Sequence, residues 1–405
     1  MQAVQPSSVP FRLALSLGLI GALGPSAVDM YLSSLPEIAN YYQASFTRVQ
    51  LTLTFFLLAM GAGQLIFGPI VDAYGRRRPL MAGLLLFILC SLGAALAPSL
   101  DTLIALRFFQ GLGSALTLVV IMSMVRDVSQ GVAATRLFAL LMTVEGVAPI
   151  LAPVLGGMID AHFGWRAVML ALTGMGLLVL LNSLLNLPET LPTHRREALR
   201  LGSVWRTYMV ILADRRFLRP ALAVAAVFFF LFAYIGGATL VYQQHFGMSA
   251  QNFGLLFGAT GVSVMLGALL ASRMVSRLGL SRLSTLGVRC MAAGALLTLA
   301  SALVGVGLYG MATGMALALF GLGIAESTLM SLVMSSQGTS LGSTAALLGA
   351  IQLSVSSSAS PVAALALQYG PVAWTALLAA SALLVCLLTA LSLRDVPANY
   401  SLAGH

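Results

Sequence analysis

The stretch Gly68-Pro69-Ile70-Val71-Asp72-Ala73-Tyr74-Gly75-Arg76-Arg77-Arg78-Pro79 lies between two long apolar runs. Three consecutive arginines cannot sit in hydrocarbon, so the stretch has to be a short loop at a membrane face. Short arginine-rich loops collect on the cytoplasmic side, which orients both flanking runs. Gly75 suits the positive φ of a tight turn, and Pro79 suits the first turn of the helix that follows. Asp72 stands four residues before Arg76, so at a helix end the acid can pair locally or with a neighbouring loop. The plain alternative is a positive-inside loop with no further role.

Composition widens this reading to the whole chain. Of 405 residues, 59% are hydrophobic and 8% charged, against about 25% charged in soluble domains. An integral membrane protein follows, with apolar sequence for roughly a dozen spans of about 20 residues. The net charge of +9 is carried by loop arginines and implies no nucleic-acid partner; all 21 basic residues are arginine. Cys90, Cys290 and Cys386 are scattered through apolar runs, as small core residues rather than a disulfide or metal framework. Met1 to Pro10 has no basic segment ahead of the first apolar run, so that run is read as a span and not as a cleaved signal peptide.

Twelve spans are expected, at about 12–34, 48–71, 79–98, 102–125, 136–160, 165–187, 217–241, 253–276, 283–304, 308–334, 343–366 and 371–393. Arg76 to Arg78, Arg126, Arg136, Arg195, Arg196, Arg200, Arg206, Arg215, Arg216, Arg219, Arg277, Arg282 and Arg394 then fall on one face. Little beyond Arg48 and Arg166 falls on the other, which puts both termini in the cytoplasm. The polar stretch near 188–216 divides the chain into a half of six spans at 1–187, a cytoplasmic connector at 188–216 and a second half at 217–405. The connector is expected to lie on the anionic inner leaflet without a catalytic role.

The halves echo each other. Gly63, Leu65, Val71, Gly75, Arg78 and Gly83 recur as Gly267, Leu269, Val275, Gly279, Arg282 and Gly287, all at an offset of 204. Ser276 stands opposite Asp72, so the second copy lacks the acid. Parallel repeats of this kind place a substrate site near the midplane, between two rocking halves.

Four charges lie well inside spans: Asp29, Arg107, Glu145 and Glu326. Each is a functional candidate, with a structural contact between helices as the plain alternative. Asp29 and Arg107 both fall about six residues from the middle of their spans toward the arginine-poor face, roughly 9 Å, and can share one depth. Burial there favours the neutral acid, whereas a nearby guanidinium favours the carboxylate. A conformational change in that pairing would load or release a proton, and Glu145, near mid-membrane in its span, is a candidate for a cation or a second proton. Tyr31, Gln64, Tyr234 and Gln352, with the acids Asp29, Glu145 and Glu326, are the candidate lining of a substrate site. Apolar pockets with a few polar groups suit amphiphilic ligands.

The spacing of Gly68, Asp72, Gly75, Arg76 and Arg77 resembles the signature loop between helices 2 and 3 of the major facilitator superfamily. There the loop helps lock the cytoplasmic side. The run Arg107-Phe108-Phe109-Gln110-Gly111 resembles the family's helix 4 motif, whose arginine is implicated in proton coupling. Glu145 to Gly157, with Pro149, Pro153 and the pair Gly156–Gly157, resembles the helix 5 motif of drug:proton antiporters. Its usual Gly-Pro core is Ala152-Pro153 here, as in the bicyclomycin and chloramphenicol resistance branch. Asp29-Met30-Tyr31-Leu32 is similar to that branch too, with Ser33 where the branch has proline.

The resemblance implies an all-α polytopic membrane protein of the major facilitator fold, with twelve transmembrane helices in two six-helix halves. It also implies proton-driven export of amphiphilic drugs from a bacterial inner membrane, by a monomer with no cofactor and no metal. A metabolite exporter, such as one for a nucleoside or amino-acid derivative, stands as the alternative, and an uptake symporter fits helix 5 less well. An enzyme is not expected: His162, His194, His245 and His405 fall at span ends, in loops or at the terminus, and without lysine there is no phosphate-binding Gly-Lys loop.

Overall fold

The computed structural model describes residues 11–128, 131–196, 201–336 and 341–394. They form helices and no strand. Spans α1 to α6 are Arg12–Tyr41, Phe46–Tyr74, Arg77–Ala95, Leu100–Val128, Gly131–Phe163 and Trp165–Asn186. Span α7 is Arg215–His245, and the continuous helix Ala250–Val304 breaks at Gly279 into α8 and α9. Leu308–Ser335, Gly342–Leu367 and Pro371–Leu393 are α10 to α12. Twelve crossings result, as the hydropathy pattern predicts, with α1 reaching seven residues beyond the expected end.

The turns follow from local chemistry. Gly75 has φ 89° and Gly279 has φ 75°, a left-handed region that costs other residues about 1–2 kcal/mol. The two residues are one offset apart, so the internal repeat is a repeat of backbone conformation. Ser45 and Ser249 open α2 and α8 by accepting the amides of Arg48 and Asn252.

Inside a membrane the hydrophobic effect does not press helices together, so close backbone approach at small residues must do so. A Cβ on Gly83 of α3 would sit 3.1 Å from the Gly113 carbonyl of α4. In the second half, a Cβ on Gly287 of α9 would sit 3.0 Å from the Gly321 carbonyl of α10. The duplicated glycines therefore make the same contact twice. The halves meet where α2 packs on α11 and α5 packs on α8.

Between the halves runs the connector helix Leu201–Ala213. Val204, Tyr208 and Ile211 turn toward α2, α7 and α11, while Trp205, Met209 and Val210 are exposed. The Tyr208 hydroxyl donates to the Leu65 carbonyl at 3.3 Å. Pro69, four residues on from Leu65, has no N–H for that carbonyl, so the tyrosine takes the place of the missing donor. Burial and then the Asp72 charge push the Tyr208 phenol up, which keeps the proton it donates.

Candidate functional site

Span α1 is not one helix. It comprises the pieces Phe11–Gly21 and Leu23–Asp29, a 3-10 turn at Leu32–Ser34, and Leu35–Tyr41. Pro36, in the first turn of the last piece, cannot donate to the Leu32 carbonyl, which helps end the preceding segment. Asp29 closes the second piece. Its carboxyl is buried and makes no hydrogen bond or ion pair with a described residue.

The expected pairing of Asp29 with Arg107 is not made. Arg107 lies instead between two rings, with Cζ 4.6 Å from the Tyr31 centroid and 4.4 Å from that of Phe56. The physical reason is azimuth. Matching depth sets a side chain's height, but residues two apart on a helix point to different faces. Tyr31 meets Arg107, and Asp29, two positions earlier, does not pair with it.

Arg107 is completely buried, and one arm is fixed by a polar chain. Its Nη1 donates to Gln110 Oε1 at 2.7 Å, Gln110 Nε2 donates to Ser91 Oγ at 2.7 Å, and Ser91 Oγ donates to the Phe87 carbonyl. Tyr31 is held in turn by its hydroxyl, which donates to Thr52 Oγ1 at 3.0 Å. The Nε and Nη2 groups of Arg107 have no acceptor. Unmet buried donors cost about 1–3 kcal/mol each, and the ring faces return about 2 kcal/mol. Two of the three guanidinium nitrogens thus lack an acceptor, and the charge has no carboxylate partner among the described residues.

Around the break in α1 the other spans close in. A Cβ on Gly156 of α5 would collide with the Met30 carbonyl, and Gln243 of α7 donates to the Ser33 carbonyl at 3.0 Å. Next along α5, Gly157 lies against the Ala250 carbonyl, while Gly254 and Gly258 of α8 lie against the Pro153 and Ile150 carbonyls. Pro149 and Pro153 are both inside α5. Gln50 of α2 donates to the Gly236 carbonyl of α7 at 2.7 Å, and Ser34 of α1 donates to Asp160 of α5. On the arginine-poor face the two halves are thus joined. The sequence reading missed Gly254 and Gly258, although their Gly-x-x-x-Gly spacing was a visible signal.

At the arginine-rich face the loop is a closed network. Arg76 Nη1 meets Asp72 Oδ1 at 2.6 Å and its Nε meets Asp127 Oδ2 at 2.8 Å. Burial works against the Arg76 charge, but its hydrogen bonds to the two acids outweigh this and raise its pKa. The amides of Arg76 and Arg77 donate to Glu189 at 2.8 and 3.2 Å, which caps the start of α3. Burial pushes the Glu189 carboxyl up, but the amides of Arg76, Leu191 and Arg77 and the Arg196 charge prevail, holding it below the usual range. Thr190 donates to Asp127 at 3.0 Å. Glu189, Thr190 and Arg196 of the connector thus belong to the loop's network, which the expectation of a surface-lying connector did not include. Glu189 was missed because its partners lie more than a hundred residues away. Gly68, by contrast, has open space around it.

The remaining candidates are dispersed. Gln64 of α2 is buried against Gly349 of α11, and Gln352 on the same span has a buried carbonyl oxygen without a donor. Tyr234 is in the core of the second half, stacked 5.5 Å from Phe257, with its hydroxyl 3.3 Å from Thr260. Glu326 is half-buried on α10. The side chains of Glu145, Arg136, Arg195 and Arg200 lie outside the described residues.

Comparison with known proteins bears on this arrangement. The family described as Major Facilitator Superfamily matches residues 17–361. An uncharacterized MFS-type transporter, YdgK of Bacillus subtilis, is 37% identical over 365 residues, covering 87% of this chain and 88% of the relative. A bicyclomycin resistance protein homolog of Haemophilus influenzae is 30% identical over 306 residues, covering 76% and 77%. Among solved structures, a D-xylose-proton symporter superposes with TM-score 0.76 at 16% identity, over 94% of this chain and 97% of that one. At that identity the likeness is one of fold.

Proposed function

The chain belongs to the Major Facilitator Superfamily, and on that premise we propose that it exports amphiphilic drug-like molecules in exchange for protons, by alternating access. The bicyclomycin resistance homolog supports the substrate class. The arginine-rich face is cytoplasmic, both termini are on that side, and the membrane is a bacterial inner membrane. The protein works as a monomer on the proton gradient, without a cofactor and without chemical conversion of its cargo.

The observation that carries this reading is the buried Asp29 carboxyl, unpaired at the break in α1 where Gly156 of α5 is seated. An unpaired carboxylate is costly at membrane depth, so Asp29 is neutral in this state. Rearrangement of the turn at Leu32–Ser34 carries the carboxyl toward the acceptor-less donors of Arg107, and the proton leaves. Substrate binding favours that rearrangement, so each ligand disfavours the other, as exchange requires. Seated against both α1 and α8, α5 transmits the change between the halves.

The test is proton release on adding chloramphenicol to the detergent-solubilised protein in weak buffer. Wild type releases protons and Asp29→Asn does not, while Arg107→Ala shifts the pH at which release occurs. Unchanged release from Asp29→Asn would move the proton to Glu145 or Glu326.

A further inference from the structure

The connector helix Leu201–Ala213 meets the two halves in different ways. It packs along α7 and α11 of the second half. In the first half it meets α2, where the Tyr208 hydroxyl donates to the Leu65 carbonyl at 3.3 Å. The Tyr208 side chain is buried.

The acceptor is one that α2 cannot satisfy by itself. In a regular helix this carbonyl takes the N–H four residues on, and residue 69 is a proline inside α2. The same turn lies in the seam between the halves. Gln64, one residue back, is buried, and a Cβ on Gly349 of α11 would collide with its side chain. One turn earlier, a Cβ on Gly61 would sit 3.1 Å from Leu353 Cβ of α11. Beyond Pro69, the end of α2 carries Asp72 and, through it, the Arg76 network. The proline turn is thus the joint between the part of α2 that packs on α11 and the part that carries the loop.

We propose that Tyr208 is a positioning residue for alternation: through its hydroxyl the connector holds the proline turn of α2 against α11 and keeps the arginine-rich face shut. With the face shut, the Leu65 carbonyl has this hydroxyl as its donor. Parting of the halves draws α2 away from a connector seated on α7 and α11, and water entering the gap donates to the carbonyl instead. The hydroxyl therefore stabilises the closed arrangement and contributes nothing to the open one. That the protein alternates at all rests on the export reading; that the hydroxyl favours the closed face does not.

The experiment is amide hydrogen exchange, read by mass spectrometry, on full-length protein in detergent without substrate. Wild type, Tyr208→Phe, Pro69→Ala and the double variant are compared. Tyr208→Phe keeps the ring and its packing, and about five-fold faster exchange is expected over residues 342–350, where α11 meets α2. Pro69→Ala returns an N–H to the Leu65 carbonyl, so in that background Tyr208→Phe should change nothing. A residue that merely fills space would not be rescued in this way. The segment around Gly236, on the arginine-poor face, should exchange alike in all four proteins. Wild-type exchange in Tyr208→Phe, a five-fold rise that persists in the Pro69→Ala background, or an equal rise around Gly236 would each overturn the proposal. The readout needs no transported molecule, so a protein that exports nothing but shows this rescue would refute only the export reading.

Discussion

The loop at 68–79 and its copy at 272–283 share a backbone and differ in charge. Gly75 and Gly279 take the same unusual φ, and the glycines on either side of each loop make matching helix contacts. Yet Ser276 stands at the offset position of Asp72 and Leu280 at that of Arg76. Among the described residues, Arg277 and Arg282 make no ion pair. Duplication has kept the geometry of the turn and left the ionic network on one side. Backbone shape alone therefore builds the loop, and the carboxylates serve something further.

Removing a carboxylate at each position separates these two contributions. Asp127→Ala takes an ion-pair partner from Arg76, a residue that is 5% exposed. A loss of about 3 kcal/mol in stability is expected, with reduced transport at matched expression. Ser276→Ala, in the second loop at the offset position of Asp72, should change neither, which thermal unfolding and transport assays of the two variants would establish. An equal loss from both would mean that the loops are alike after all.

A smaller effect is expected from Glu189→Gln, which keeps the shape of the cap but not its charge, at about 1.5 kcal/mol. Here pH gives a second handle. The folded protein holds this carboxyl below its usual value, so its stabilisation is complete above about pH 4.3, the ordinary glutamate value. It is lost as the pH falls through the lowered value. Thermal midpoints of wild type and Glu189→Gln should therefore differ at pH 7 and converge below the usual carboxylate range. A difference that persists there would assign the effect to packing.

The smallest effect is the converse experiment. Ser276→Asp with Leu280→Arg rebuilds the Asp72–Arg76 pair in the second loop. At this partly exposed site it should add only about 0.3–0.5 kcal/mol. A gain of several kcal/mol would show that the second loop already carries buried partners.

Local features were the legible ones. The apolar runs, the turn glycines and the i,i+4 relation of Asp72 to Arg76 are each written within a few residues, and the structure has them where the sequence places them. Features that depend on rotation or on distant segments were not. The depth of Asp29 could be counted along α1, but the irregular turn after it sets which side chain meets Arg107, and Tyr31 does so. Glu189 reads as an ordinary loop acid until the fold brings it to the start of α3. Tyr208 gave no signal either, since its role follows from a carbonyl that Pro69 leaves free in another span.

The bonds that join the halves on the arginine-poor face have one property in common. Gln50 to Gly236, Gln243 to Ser33 and Gln368 to Thr47 are all contacts of uncharged groups. Acid cannot titrate them and salt cannot screen them. The ionic strength of the medium on that side can therefore change without itself weakening these three bonds. These three bonds therefore loosen only when the helices that carry them move apart.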